Sequence, residues 1–187
     1  MVVCTDDVCN ASEMAARICS GDIAVYEQFV RNQWATAVRA CWLVLHSTED
    51  AEEAAQDAFV SLYRARGQLK NPDKLRIWFY RILLNSARQR WRSRPRGLPS
   101  PEQDAQDPRN QIDQADTRIM VRDALRMLSQ PEKTALVLCF FCGLTDREAS
   151  LATGWPLGTY KWRLAKARRQ LLKQLQENGC QTSEISL

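Results

Sequence analysis

Apolar residues recur three and four positions apart over most of this chain, and no stretch alternates in twos. That period belongs to helices packed along one face, so the pattern predicts an all-α protein. Tyr26, Phe29, Val30, Trp34, Val38, Cys41, Trp42 and Leu45 predict a long amphipathic helix over about 23–45. Ahead of it, Ser12 is placed to cap a short helix ending near Cys19, with residues 1–11 frayed, and Gly21-Asp22 separates the two helices. His46-Ser47-Thr48 reads as a turn into a helix over about 49–66, whose first turn is acidic, as the helix dipole favours. Phe59, Leu62 and Tyr63 mark its core side. Residues 67–74, with Asn71-Pro72, read as a loop, and a further helix follows over about 74–94.

Arg94-Pro95 ends that helix. The next stretch, with Pro95, Pro99, Pro101 and Pro108 among Glu102, Asp104, Asp107, Asp113 and Asp116, is too polar to build a core and reads as a flexible acidic linker. Helices resume over about 117–128 and 131–141. In the run LTDREASLATGWPLGTYKWRLAKARRQLL, Thr145 and Glu148 form a T-x-x-E capping box, and Gly154-Trp155-Pro156 breaks the chain between two helices. Leu157, Tyr160, Leu164, Ala167 and Leu171 form the apolar stripe of the second. This is a helix-turn-helix pattern. The predicted architecture is two small helical domains, 12–96 and 117–175, joined by the linker 97–116.

Charge sharpens the picture. The net charge over 187 residues is only +4, yet the signs are segregated. From Arg64 to Arg96 the sole acid among many cations is Asp73, whereas the charges from Glu49 to Asp57 are all negative. Off the apolar stripe, the last helix carries Lys161, Arg163, Lys166, Arg168, Arg169 and Lys173 and no acid. Separate surfaces for separate partners follow: two basic ones for nucleic acid and an acidic one for a basic protein. A basic second helix of a helix-turn-helix enters the major groove. On its outward face, Trp162 reads either as an apolar contact to a thymine methyl or sugar, or as packing on a neighbouring helix. The helix ending YRILLNSARQRWRSRPR suits single-stranded or melting DNA, its cations holding the backbone while aromatic and amide groups meet exposed bases. Trp78 in it reads mainly as structural.

No catalytic constellation, phosphate loop or cofactor motif stands out, so no enzyme, cofactor or metal is expected. His46 reads as a turn residue. Cys139-Phe140-Phe141-Cys142 is a C-x-x-C without a second pair; buried packing is favoured over redox or metal chemistry, which stays open. No apolar run reaches membrane-span length and the start lacks a secretory pattern, so a soluble, cytoplasmic protein is expected.

Five segments in order, ARICSGDIAVYEQFV, STEDAEEAAQDAFVSLYRA, WFYRILLNSARQRWR, LSQPEKTALVLCFFCGLTDREAS and PLGTYKWRLAKARRQL, resemble the extracytoplasmic-function sigma factors of the bacterial sigma-70 family. The resemblance covers about 12–96 and 117–175. It implies a promoter-specificity subunit of core RNA polymerase, for a stress or environmental-signal regulon, held by an anti-sigma protein. It implies that Asp50, Glu53, Gln56 and Asp57 dock on the β′ clamp coiled coil, and that the second domain's apolar helices meet the β flap. By the same token Lys70, Asn71, Lys74, Arg76, Trp78, Arg81, Asn85 and Arg88 would melt and read the −10 element. Thr159, Lys161, Trp162, Arg163, Lys166 and Arg169 would read the −35 element. Trp162 stands where this family usually has a small polar residue, and Ala149, Ser150 and Thr153 replace larger or more apolar ones. The alternative is a free-standing helix-turn-helix regulator. Such a protein needs a ligand pocket or dimer seam in its first domain, where this chain offers an acidic dock and a basic aromatic helix.

Overall fold

The computed structural model describes the backbone of residues 5–93 and 123–177, with side chains from 12 to 93 and from 123 to 176. The linker 97–116 and the start of the helix expected from 117 lie outside the described residues. Every regular element among the described residues is helical. The first four α-helices are α1 (Thr5–Ser20), α2 (Ile23–Leu45), α3 (Thr48–Ala65) and α4 (Leu75–Ser93). Two short 3₁₀ turns, Arg66–Gln68 and Pro72–Lys74, lie between α3 and α4. The second group comprises α5 (Gln130–Leu136), a π-helical turn Val137–Phe141, α6 (Asp146–Thr153) and α7 (Leu157–Glu177).

The local signals act largely as the sequence reading expects. Asp22 caps α2 by accepting from the Val25 amide, and Ser47 caps α3 by accepting from that of Asp50. His46 ends α2 at φ 55°, the left-handed conformation that terminates helices. The Ser12 cap does not form: α1 starts at Thr5, and the Ser12 hydroxyl donates to Asp73 at 2.6 Å instead. Leu157 of the predicted stripe stays exposed at the mouth of α7, while Tyr160, Leu164, Ala167, Leu171 and also Leu175 are buried.

Alanines let the first four helices close up. Ala51, Ala54, Ala55 and Ala58 put a fully buried small-residue face on α3 between α2 and α4. Phe29, Phe59 and Phe79 fill the space beside it, Phe59 and Phe79 with ring centroids 4.8 Å apart. Full burial of such a ring stabilises by about 1.5–3 kcal/mol. In the second group the Tyr160 ring is wholly buried and its hydroxyl donates to the Ala135 carbonyl at 3.0 Å, tying α7 to α5.

The two groups pack on one another, α4 against α6 and α2 against α5 and the π turn. Arg76 donates to the carbonyls of Cys142 and Gly143, and Arg81 to that of Leu151 at 2.6 Å. Gln130 donates to the Val44 carbonyl at 3.0 Å. Cys41, Tyr80 and Cys142 line a narrow apolar cavity in this seam. Burial pushes the Cys142 thiol up to about 12 and raises Cys41 as well, so both are poor nucleophiles in this arrangement.

Candidate nucleic-acid interface

The acidic face comes first in the chain. On α3, Gln56 and Asp57 are exposed and Asp50 and Glu53 partly so, on the flank away from the buried alanines. Arg90 of α4 reaches back to this row, pairing with Glu53 and, at 2.8 Å, with Asp57. In the sequence Arg90 is one more cation of a helix expected to face nucleic acid. Its spacing from the acids, more than thirty residues, gave no local signal that it sets their geometry.

The expected −10 residues lie on the 68–74 loop and α4. Lys70, Asn71, Lys74, Arg76, Arg81 and Asn85 are exposed; Trp78 is half-buried and packs on the core, matching its structural reading. Asn71 caps the second 3₁₀ turn by accepting from the Asp73 amide at 3.0 Å. Ser12 of α1 braces the same turn through Asp73. The Arg88 guanidinium lies 5.8 Å from the Trp155 ring, and burial, together with Arg92 and Arg163, lowers its pKa. Arg76, Arg81 and Arg88 thus all face the second group of helices.

The helix-turn-helix forms as its caps demand. The Thr145 hydroxyl and the Glu148 carboxylate complete the capping box, and Gly154 turns the chain at φ 73°, where a side chain would be strained. Ala149 is fully buried and Ala152 nearly so. The hydroxyls of Ser150 and Thr153 donate to nearby carbonyls, those of Trp155 and Ala149. The small residues of α6 therefore make a close-packed helix. On α7, Lys161, Trp162 and Arg169 are exposed, and Thr159, Arg163 and Lys166 are partly so. Lys161 approaches Asp146 at 3.9 Å, and Arg163 stacks on Trp155 at 3.9 Å. Lys166 pairs with buried Glu132 at 2.7 Å and lies 5.5 Å from the Trp162 ring. Of the two readings of Trp162, exposure of 59% sets aside packing on a neighbouring helix among the described residues.

Cys139 and Cys142 point to different surroundings, Cys139 toward Arg168 and Cys142 toward the Cys41 cavity. No cluster of metal-ligating side chains is present among the described residues, and none of the described helices is long and apolar enough to cross a membrane.

A capped helix-turn-helix with a basic outward face, attached to a helical unit with its own basic and acidic faces, is the make-up of a two-domain DNA-binding protein. The chain matches the Sigma-70 region 2 family over residues 26–97 and the Sigma-70 region 4 family over residues 118–171. It is 29% identical over 166 residues to the ECF RNA polymerase sigma factor SigM of Mycobacterium tuberculosis, covering 89% of this chain and 84% of that one. Its fold is similar to CnrH in complex with the cytosolic domain of CnrY, with a TM-score of 0.70 and 22% identity over 90% of this chain and 99% of that chain. It is also similar to the sigma factor RpoE in complex with the anti-sigma factor NepR from Bartonella quintana, with a TM-score of 0.65 and 21% identity over 81% and 96% of the two chains. The chain belongs to the extracytoplasmic-function group of the sigma-70 family, and it is a sigma factor for transcription initiation by RNA polymerase.

Proposed function

We propose that this sigma factor grips core RNA polymerase through α3 and promoter DNA at two points, one on each domain. The observation that carries the reading is the separation of charge onto three helices: acids on α3 and cations on α4 and α7. Asp50, Glu53, Gln56 and Asp57 meet the β′ clamp coiled coil, with Arg90 holding Glu53 and Asp57 in place. The apolar helices of the second domain meet the β flap. The unit over 12–96 melts and reads the −10 element with the 68–74 loop, Asn85 and Arg88. Extruding a base costs a few kcal/mol of stacking, which pocket contacts must offset. The unit over 117–175 reads the −35 element from the outward face of α7.

The contacts of Arg76 and Arg81 with carbonyls of the second domain occupy groups assigned here to DNA. Initiation on this reading requires the two units to part, with phosphates replacing the carbonyls. The protein works in the cytoplasm with polymerase, carries out no reaction of its own and needs no cofactor. Its regulon answers a stress or environmental signal, and a protein inhibitor of the anti-sigma kind holds it in check. The last point draws support from the fold it shares with the sigma factor RpoE, solved in complex with the anti-sigma factor NepR.

The test is reconstitution. Purified protein with core polymerase should start transcripts at a small set of promoters and bind duplex promoter DNA weakly alone. Tight protection of an operator without polymerase would instead make it a free-standing regulator.

A further inference from the structure

Lys166 differs from the other cations on the outward face of α7. Its ammonium is 2.7 Å from Oε1 of Glu132, a carboxylate that is 4% exposed. Oε2 of the same carboxylate accepts from the Ser129 amide at 3.0 Å, closing the capping box at the start of α5. Burial acts to raise the Glu132 pKa, but the hydrogen bonds from Lys166 and Ser129 outweigh it and leave the carboxyl lowered. A buried carboxylate stripped of its cation is strongly unfavourable, so Lys166 is not at liberty to leave for a phosphate. On its other side the ammonium sits 5.5 Å from the Trp162 ring, one helical turn back on α7. The indole is otherwise the largest exposed apolar group on that face.

We infer that Ser129, Glu132 and Lys166 form a strut that sets the orientation of Trp162, and that Trp162 is the apolar reader of the upstream promoter element. Glu132 and Lys166 are positioning residues in this assignment, and Lys166 makes no phosphate contact. The inference rests on the proposed role of α7 in reading the −35 element. The ligand chemistry that suits a held indole edge is a thymine methyl or a deoxyribose face in the major groove.

The test uses the full chain with core polymerase and a promoter library randomised across the upstream element, the −10 element being fixed. Trp162→Ala should flatten base preference at one upstream position by about tenfold. Glu132→Gln, which keeps an acceptor for Ser129 but removes the charge, should weaken the preference at that same position. The pair Glu132→Gln with Lys166→Met leaves no unpaired charge and should do likewise, and neither change should add to Trp162→Ala. The salt slope of DNA binding by holoenzyme should be unaltered in the pair, whereas Lys161→Ala should reduce it by about one. A base profile in the pair matching wild type, or a salt slope lowered by about one, overturns the strut. Failure of the wild-type holoenzyme to initiate anywhere in the library would overturn the promoter-reading function itself, and the strut with it.

Discussion

Lys133 of α5 and His46 at the end of α2 meet across the seam between the two units, Nζ to Nε2 at 2.8 Å, with both residues buried. While Lys133 is charged its ammonium is the donor and Nε2 of His46 the acceptor. Burial, with Arg126 nearby, pushes the Lys133 amine down to about 8 from its ordinary 10.5.

A pH dependence follows, with a definite sign. Between about pH 8 and 10.5 the unfolded chain holds more protons at Lys133 than the folded one, so stability contributed here rises with pH across that window. Below pH 8 the ammonium is charged in both states and the full penalty of burying it stands. The melting temperature of wild type relative to Lys133→Met should therefore climb from pH 8 to 10.5. A flat difference would show the amine to be solvated in solution.

The arginine contacts across the seam predict a separable arrangement. Replacing Arg76 and Arg81 together by alanine should loosen the packing of α4 on α6 and enlarge the radius of gyration measured by small-angle X-ray scattering. The helical circular dichroism should stay the same, because neither side chain is part of a core. An unchanged scattering curve would mean that the apolar seam around Val44 and Leu138 suffices alone.

Charge reversal on α3 should separate docking from folding. Glu53→Lys with Asp57→Lys is expected to weaken binding to core polymerase by tenfold or more, read as about 1.4 kcal/mol or more in a titration. Stability should move little, since the ion pairs with Arg90 are partly open to solvent and surface pairs contribute roughly 0–1 kcal/mol. Equal affinity for core would remove α3 as the dock.

Within the helix-turn-helix, Thr145→Ala should destabilise by about 1 kcal/mol through loss of the capping box. Ala149→Leu should cost about 1–3 kcal/mol, because the alanine is fully buried and there is no room for three more carbons. Chemical denaturation followed by tryptophan fluorescence measures both. A neutral Ala149→Leu would indicate that α6 has slack in its packing.

Helix positions and caps were legible because their causes are local. Asp22, Ser47, Thr145 and Gly154 act on amides and carbonyls within a few residues of themselves. The outward and inward faces of α3 and α7 were legible for the same reason, since helical period alone sorts them. Three features were hidden. Ser12 has the local look of a cap, but its partner, Asp73, lies 61 residues on. Arg90 looked like one more basic residue until the fold brought α3 beside it. Glu132 carried the mark of a capping box, S-x-x-E before an apolar run, but nothing nearby in the chain announced that its second oxygen holds Lys166. In each case the missing information is a pairing between elements, which depends on packing rather than on periodicity.

Where α4 meets the second unit, the seam is fastened on one side by arginine side chains and on the other by main-chain carbonyls of residues 142, 143 and 151. A carbonyl is present whichever amino acid occupies its position. A side-chain change at exposed Leu151 thus leaves its acceptor intact, while changes at Arg76 and Arg81 delete the donors outright. The grip of α4 on α6 is in that sense set by Arg76 and Arg81, while Gln130 and Lys133 fasten α5 to the end of α2.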